Sequence, residues 1–303
     1  YKNPYFTIDG VSRGFSIFFR ETNFDDDDDI ASYTSDTLGA AVNFGYPIDR
    51  FTRLEFGFGY NHTRIKLPEY PAQEISGFIN DNGDDYDFFE SSVSWSRNTL
   101  NRGLFPTRGS RNRLSAKFVL PAISDYNFFK LGYRGDQYFS ISENEEWALH
   151  LRGEVAYGDG YGEDDGLPFF ENYFSGGISS VRGFDSNSLG PRSTPDPEDR
   201  NPDSDPIGGN LLLESSFELI FPFVFMEERS QIRTLYFVDA GNVFNTTENT
   251  DPDLTLDEIR LSTGIGITWI TPIGPLSFSF GKVLNSKPGD DKQFFQFLLG
   301  QTF

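Results

Sequence analysis

The 303-residue sequence contains no cysteine, only two histidines and no long apolar run. The lack of cysteine excludes disulfide bonds, cysteine-ligated zinc and cysteine nucleophiles, and it is compatible with an oxidising periplasm. No segment approaches the roughly eighteen consecutive apolar residues that a membrane-spanning helix needs. A helical membrane protein is therefore excluded, whereas membrane strands need only every second residue to be apolar and are not excluded.

Signals for catalysis are equally scarce. His62 and His150 are the only histidines, and the sequence has neither a Gly-x-Ser-x-Gly nucleophile elbow nor a P-loop. His150 alternates with apolar neighbours, which favours a structural role over a catalytic one. We therefore expect a protein that is not an enzyme and that needs no cofactor.

Basic residues are few, with 25 Lys and Arg against 46 Asp and Glu and a net charge of -21. This balance argues against nucleic acid as a partner, because phosphates require a basic surface. The acids concentrate in runs between strand-like segments, at 25–29, 81–87, 162–166 and 194–206. Solvated loops are the favoured interpretation, and because no run has the EF-hand spacing, no metal site is predicted.

What the sequence does contain is phenylalanine (33), tyrosine (14) and glycine (30) in segments of alternating polarity. In EIRLSTGIGITWI (258–270), apolar side chains from Ile259 to Trp269 fall on one face and polar ones on the other. RLEFGFGY (53–60) and WALHLRGEVAY (147–157) repeat the pattern. A soluble β-sandwich would show the same alternation.

Segment length and aromatic placement favour a membrane barrel over a sandwich. Soluble strands usually have about 5 to 6 residues, whereas many segments here are long enough for a tilted bilayer crossing. Aromatic residues gather near segment ends, as in the interfacial girdles of barrels, at Phe51, Tyr60, Trp147, Tyr157, Trp269 and Phe303.

We predict about twelve strands in an all-β, antiparallel transmembrane β-barrel. They lie near residues 10–22, 36–47, 51–66, 87–99, 109–120, 127–142, 146–158, 209–221, 231–243, 258–270, 274–284 and 293–303. Long acidic connections follow the first, third, seventh and ninth strands, and tight turns follow the second, sixth and tenth. This asymmetry is typical of bacterial outer-membrane proteins.

Charged residues on the polar face identify that face as the lumen, because charges facing lipid would cost several kcal/mol each. The predicted lumen residues are Glu55, Arg113, Lys117, Lys130, Arg134, Asp136, Arg152, Glu154, Glu214, Glu218, Asp239 and Arg260.

One connection contains the segment FFENYFSGGISSVRGFDSNSLGPR (169–192), with Val-Arg-Gly-Phe at Val181 to Phe184. It resembles the sixth extracellular loop of the Omp85 superfamily. The resemblance extends along the chain through NPYFTIDGVSRG (3–14), GYPI (45–48), RGLFPTRGSR (102–111), TPIGPLSFSFG (271–281) and FQFLLGQTF (295–303). A lone Val-Arg-Gly-Phe would be weak evidence, but this ordered series is strong.

The resemblance implies that the loop folds into the lumen and that Arg182 pairs with Glu218 and Asp239. An enclosed guanidinium needs carboxylates to offset its desolvation, and two acids suit its five donors. Gly183 is expected to allow a sharp turn, and Phe184 to bury its ring beside the pair. The alternative is a solvated loop arginine.

The resemblance also implies a role for the terminal strand, with Phe295, Phe297, Leu299 and Phe303 on one face. Such strands resemble the signal that the outer-membrane assembly machinery recognises, and this one is expected to be kinked near Gly300 and to form a lateral gate. Glycine weakens ladder pairing, which is consistent with a gate.

The superfamily members that this chain resembles most have about sixteen strands preceded by periplasmic POTRA domains. Residues 1–303 are therefore expected to be the C-terminal part of a barrel domain, with the POTRA domains and the first strands absent. The open edge is expected to be closed, dimerised or covered.

The implied function is that of the central component of the outer-membrane β-barrel assembly machinery, which folds and inserts proteins through the lateral gate. The expected partners are outer-membrane lipids and lipopolysaccharide, unfolded outer-membrane proteins and accessory assembly lipoproteins. The alternative is an Omp85 member that acts as a protein-secreting or passive pore.

Overall fold

The computed structural model describes residues 1–24, 31–199, 204–223, 231–247 and 254–300, which form thirteen β-strands, one α-helix and two 3-10 turns. The strands are β1 (Lys2–Asn3), β2 (Ser12–Asn23), β3 (Thr34–Pro47), β4 (Thr52–Lys66), β5 (Asp85–Asn98), β6 (Gly109–Val119), β7 (Phe128–Ser140), β8 (Ala148–Gly160), β9 (Leu211–Phe221), β10 (Ile232–Phe244), β11 (Arg260–Thr271), β12 (Gly274–Asn285) and β13 (Phe295–Leu299). Helix α1 spans Gln73–Asn82, and the 3-10 turns span Phe169–Glu171 and Leu256–Glu258. The twelve predicted strands correspond to β2–β13.

All thirteen strands form one antiparallel sheet in chain order. The ladder between β11 and β12 runs from Leu261 to Thr271, whereas that between β12 and β13 is limited to Phe295–Leu299. Among the described residues, β13 pairs only with β12 and no ladder joins it to β1 or β2. The edge of β13 that faces away from β12 is therefore unpaired in the described part of the chain.

The two faces of the sheet differ in polarity as the alternation predicts. Large apolar side chains such as Phe58, Leu131 and Ile265 are exposed on the outer face. On the inner face, Asp239 and Arg260 are buried. The faces were therefore assigned correctly, and the inner face is the predicted lumen side.

Connections differ in length between the two ends of the sheet. At one end, called the short-turn end, lie the connections 48–51, 99–108, 141–147 and 272–273. At the other, called the long-loop end, lie the long connections 67–84 and 161–210, together with the shorter connections 120–127 and 286–294. The predicted asymmetry of the connections is present in the structure.

Helix α1, in the connection between β4 and β5, was not predicted. Its apolar residues Ile75, Phe78 and Ile79 share one side, and Ile75 is fully buried. The helix ends at Gly83, where a φ of +86° lets the amide donate to the Ile79 carbonyl. No helix in the described ranges is long and apolar enough to cross a membrane.

A hydrophobic cluster at the long-loop end, which we call the aromatic cap, joins α1 to the connections around it. Phe169 makes edge-to-face contacts with Tyr33 and Phe78, with ring centroids 4.9 and 5.5 Å apart. The cap is built from Ala31, Tyr33, Ile65, Ile75, Tyr86, Phe88, Val119, Tyr126, Phe128, Leu167 and Phe169. It therefore holds the start of the 161–210 connection on the sheet.

Candidate functional site

The connection between β8 and β9, residues 161–210, is called the long loop, and its residues from 171 to 185 contact the inner face. Its segments pair locally through isolated bridges, Tyr173 with Gly209 and Ser175 with Leu189. Residues 181–185 form its innermost part, called the loop tip. The tip contains the Val-Arg-Gly-Phe motif and contacts both β10 and β12.

Arg182 is bound to Asp239 of β10 by two side-chain hydrogen bonds and one main-chain hydrogen bond. The guanidinium donates from Nε and from an Nη to the two carboxylate oxygens, each over 2.7 Å. The Arg182 amide donates to the same carboxylate over 3.1 Å. This bidentate geometry is the strong form of an arginine–carboxylate pair.

Neighbours on β9 and β10 complete the guanidinium site. Glu218 lies 2.8 Å from an Arg182 Nη, and the same Nη donates a hydrogen bond to the Ser216 hydroxyl over 2.9 Å. Ser216 in turn donates to Asp239 over 2.6 Å. The Phe237 ring faces the guanidinium, with 3.8 Å between the ring centroid and Cζ. The structure thus brings Arg182 together with both predicted acids.

The site is almost completely enclosed. The Arg182 side chain is 9% exposed and that of Asp239 is 0% exposed. Burial alone would lower the pKa of the Arg182 guanidinium, but the carboxylates of Asp239 and Glu218 raise it above its ordinary value. The cation therefore stays charged, and it is compensated by two acids on the strand wall.

A hydrogen-bonded chain extends this site along the wall towards the short-turn end. His150 lies between Glu218 and Asp136, with Nδ1 2.7 Å and Nε2 3.1 Å from their oxygens. Its ring stacks on Tyr138 with centroids 4.0 Å apart. Asp136 also pairs with Arg111 over 3.1 Å. His150 therefore has a buried structural environment, with carboxylates on both sides.

The other motif residues are buried around the tip. Val181 and Phe184 are 0% exposed and pack with Leu189 and Val283. Gly183 adopts a φ of +94°, a conformation that favours glycine. Phe184 was expected to bury its ring beside the ion pair, but it is buried in this separate apolar cluster. The ring that faces the guanidinium is that of Phe237.

The predicted gate residues lie in and beside β13. Phe295, Phe297 and Leu299 are exposed on the outer face, as expected for side chains that meet lipid. Gly300 follows the strand directly and adopts a φ of +91°. Phe303 lies outside the described residues.

Near its start, at Glu171, the long loop has an ion cluster that sequence reasoning did not predict. We call this part of the loop its outer end. Glu171 accepts from Lys117 over 2.9 Å and from Lys130 over 3.0 Å, through different oxygens. Lys130 also donates to the Glu171 carbonyl over 2.6 Å. Burial alone would raise the pKa of the Glu171 carboxyl, but the two lysines lower it to about 2.

A third set of contacts holds the loop between its outer end and its tip. Arg152 of β8 donates to the carbonyls of Ser179 and Ser180 over 2.9 and 2.7 Å. Ser175 and Ser180 donate to Glu214 of β9. Predicted lumen residues therefore bind the loop as well as lining the wall, a role that alternation alone does not reveal.

The acidic runs form no metal cluster within the described ranges. Asp164 accepts hydrogen bonds from the amide and the side chain of Asn127, over 2.9 and 2.7 Å. The run at 25–29 lies outside the described residues, as do residues 200–203 of the last run.

Comparison with known proteins gives matches over the whole chain. The sequence profile of the Omp85 superfamily domain matches residues 1–303. The outer membrane protein assembly factor BamA of Neisseria meningitidis serogroup B is 32% identical over 334 aligned residues, covering 100% of this chain and 41% of that protein. The chain thus spans about two fifths of the length of this curated relative.

Solved structures agree with the sequence matches. BamA from Haemophilus ducreyi lacking POTRA domains 1–3 superposes with a TM-score of 0.87 and 32% identity, covering 98% of this chain and 60% of that one. CdiB from Acinetobacter baumannii has a TM-score of 0.55 and 16% identity over 95% of this chain and 46% of its own, which shows the fold alone.

These matches confirm the predicted fold class and the predicted resemblance. Together with the sheet, they locate the chain in the bacterial outer membrane. Since the Omp85 profile covers the chain from its first to its last residue, and the loop tip folds onto the inner face, the chain belongs to the Omp85 superfamily.

Proposed function

We propose that this chain is part of an assembly factor that folds and inserts outer-membrane β-barrel proteins through a lateral gate at β13. The similarity to BamA over the full chain supports this proposal. The observation that carries it is the terminal strand, whose ladder with β12 covers only five residue pairs, whereas the ladder between β11 and β12 covers eleven. A strand held by so short a ladder can separate from its neighbours and offer its backbone groups to another strand.

The backbone groups that face this edge can be identified from two hydrogen bonds. The Gly300 amide donates to the Pro275 carbonyl, and the Phe294 carbonyl accepts from the Gly281 amide. Because the direction of these groups alternates along a strand, Phe295, Phe297 and Leu299 direct their N–H and C=O groups away from β12. A client strand would add to this edge by β-augmentation.

The proposed mechanism needs no covalent chemistry and no cofactor, so the chain is not an enzyme in this proposal. The partners are unfolded outer-membrane proteins, the lipids and lipopolysaccharide around the seam, and accessory assembly lipoproteins. The lipoproteins would bind mainly through domains that these residues do not include. The free energy comes from client folding, and the weakly paired seam would disturb the bilayer beside it.

Secretion or passive conduction remains the second function of the superfamily to be tested. The likeness to CdiB supports only the shared fold. The higher identity to BamA and the short terminal ladder favour assembly.

A proline substitution at Phe297 tests the proposal. Proline removes one N–H from the edge that faces away from β12 and leaves the β12 ladder intact. Sheets tolerate proline where its missing N–H would not pair within the sheet. The full-length protein, reconstituted in lipid vesicles, is expected to speed the folding of an unfolded β-barrel client, measured by gel mobility. Phe297→Pro should reduce this rate to nearly that of empty vesicles, whereas Phe297→Leu should retain it.

Heat-modifiable gel mobility of the variants themselves checks that each is folded. If folded Phe297→Pro inserts clients at the wild-type rate, the edge is not the template. If the wild type does not speed client folding but conducts ions, the pore function replaces the assembly function.

A further inference from the structure

We propose that the loop tip holds the terminal strand in place and that Gln296 is the positioning residue for this contact. The inference rests on the proposed function for its consequence in client insertion, but the contact itself can be tested separately. It joins two features that lie more than a hundred residues apart in the sequence.

The loop tip pairs through its main chain with the segment that leads into β13. The Gln293 amide donates to the Gly183 carbonyl over 2.9 Å, and the Asp185 amide donates to the Asp291 carbonyl over 3.0 Å. Between them, Phe184 and Lys292 form an antiparallel bridge. The tip therefore acts as a short strand added to residues 291–293.

The Gln296 side chain continues this pairing from within β13. Its Nε2 donates to the Phe184 carbonyl over 2.6 Å, and its Oε1 accepts from the Gly183 amide over 3.2 Å. Gln296 is 4% exposed, and both main-chain groups belong to buried residues. One amide thus binds the buried Gly183 N–H and adds a second hydrogen bond to the Phe184 carbonyl, which also accepts from the Gly177 amide over 3.1 Å.

The neighbouring strand is shaped to admit the tip. A Cβ atom placed on Gly281 of β12 would lie 2.7 Å from the Gly183 Cα and 2.8 Å from its amide nitrogen. Such distances require the backbone of the tip to move. Glycine at position 281 therefore lets the tip approach β12 closely enough for Gln296 to reach it.

The tip also connects β13 to the buried ion site. Arg182, which precedes Gly183, is bound to Asp239 of β10, so a few residues link β10 to β13. β13 itself has only a five-residue ladder with β12. Separation of β13 from the wall would break the Gln296 contacts or carry the tip away from Asp239. We infer that the position of the tip controls how firmly β13 is held.

The test uses amide hydrogen exchange of the full-length protein in outer-membrane vesicles. Gln296→Leu keeps the side-chain volume but removes both hydrogen bonds. Gly281→Ala displaces the tip without altering Gln296. Both variants should speed exchange of the amides in 294–299 by about tenfold, because local opening requires fewer contacts to break.

Matched controls carry the same substitutions elsewhere. Gln137→Leu removes an amide that bonds to the Gly109 carbonyl within the wall, and Gly153→Ala adds a Cβ with no atom within 4 Å. Neither should change exchange in 294–299. A merely structural role of Gln296 would instead shift the urea midpoint and exchange in all strands together.

The inference is overturned if exchange in 294–299 stays at the wild-type rate in Gln296→Leu and Gly281→Ala, or if it rises equally in the controls. The rate of client insertion is measured in parallel, and in both test variants it should differ several-fold from the wild-type rate. If the wild type inserts no client while exchange still responds, the proposed function fails and the contact stands. If clients are inserted but exchange does not respond, this inference alone fails.

Discussion

The long loop is attached to the wall at two places, its outer end and its tip, by ion pairs of opposite polarity. At the outer end the loop supplies an acid, Glu171, and the wall supplies two lysines. At the loop tip the loop supplies a base, Arg182, and the wall supplies two acids. An inverted or shifted loop would place like charges together, so the arrangement specifies one orientation and depth.

The two attachments also differ in what surrounds the ions. The outer end is packed in the aromatic cap, and Glu171 remains 23% exposed at its side chain. The Asp239 side chain at the tip is 0% exposed, and the Arg182 guanidinium relies on hydrogen bonds that it donates to a few polar groups. A buried charge that loses its partner is strongly destabilising, whereas an apolar cluster tolerates the loss of one ion. We therefore expect the tip to be the more sensitive attachment.

The largest effect is expected for Arg182→Ala. This change leaves two buried carboxylates without their cation and should lower the free energy of unfolding by about 3–5 kcal/mol. Urea titration with heat-modifiable gel mobility measures it. Arg64→Ala is the control, because Arg64 pairs over 2.6 Å with Asp85, their side chains are 53% and 42% exposed, and its loss should change stability by about 1 kcal/mol or less. Equal effects of the two substitutions would contradict the comparison.

A smaller effect is expected for Glu171→Gln. The amide keeps the size of the side chain but removes the charge between Lys117 and Lys130, which should cost about 1.5–3 kcal/mol in the same urea titration. The aromatic cap remains and continues to hold this end of the loop.

The acid dependence of stability sharpens this prediction. The pKa of the Glu171 carboxyl is lowered from 4.5 to about 2 in the folded protein, so the carboxylate contributes stability above its unfolded pKa. That contribution is lost as the pH falls from about 4.5 towards 2. Glu171→Gln should therefore lose less stability than the wild type over this range. If both proteins lose the same amount, the lysines do not stabilise the folded carboxylate.

The strand wall and its polarity could be predicted because a period of two residues fixes which side chains share a face. The pairing of Arg182 with Glu218 and Asp239 was predictable from the motif together with their positions on the polar face. Helix α1 was not, because a ten-residue helix has weak local signals and depends on the burial of Ile75 in the aromatic cap.

Contacts that depend on how the loop folds back could not be predicted from alternation. Phe237 lies two residues before Asp239 on the same strand face, which places its ring beneath the guanidinium. Gln296 stands out in hindsight as the polar residue between Phe295 and Phe297, but its partner is more than a hundred residues away. Glu171 similarly meets Lys117 and Lys130 only after the loop packs on the wall.

The most direct test of the central claim, that the buried ion site at the loop tip holds the loop to the wall, is a charge-swap cycle in the full-length protein. Arg182→Glu, Asp239→Arg and the double variant are compared by outer-membrane assembly and heat-modifiable gel mobility. Each single change should prevent normal assembly, because it places like charges together in a buried site, and the double variant should recover part of it. If Arg182→Glu assembles and migrates like the wild type, the guanidinium does not hold the loop and the account is contradicted.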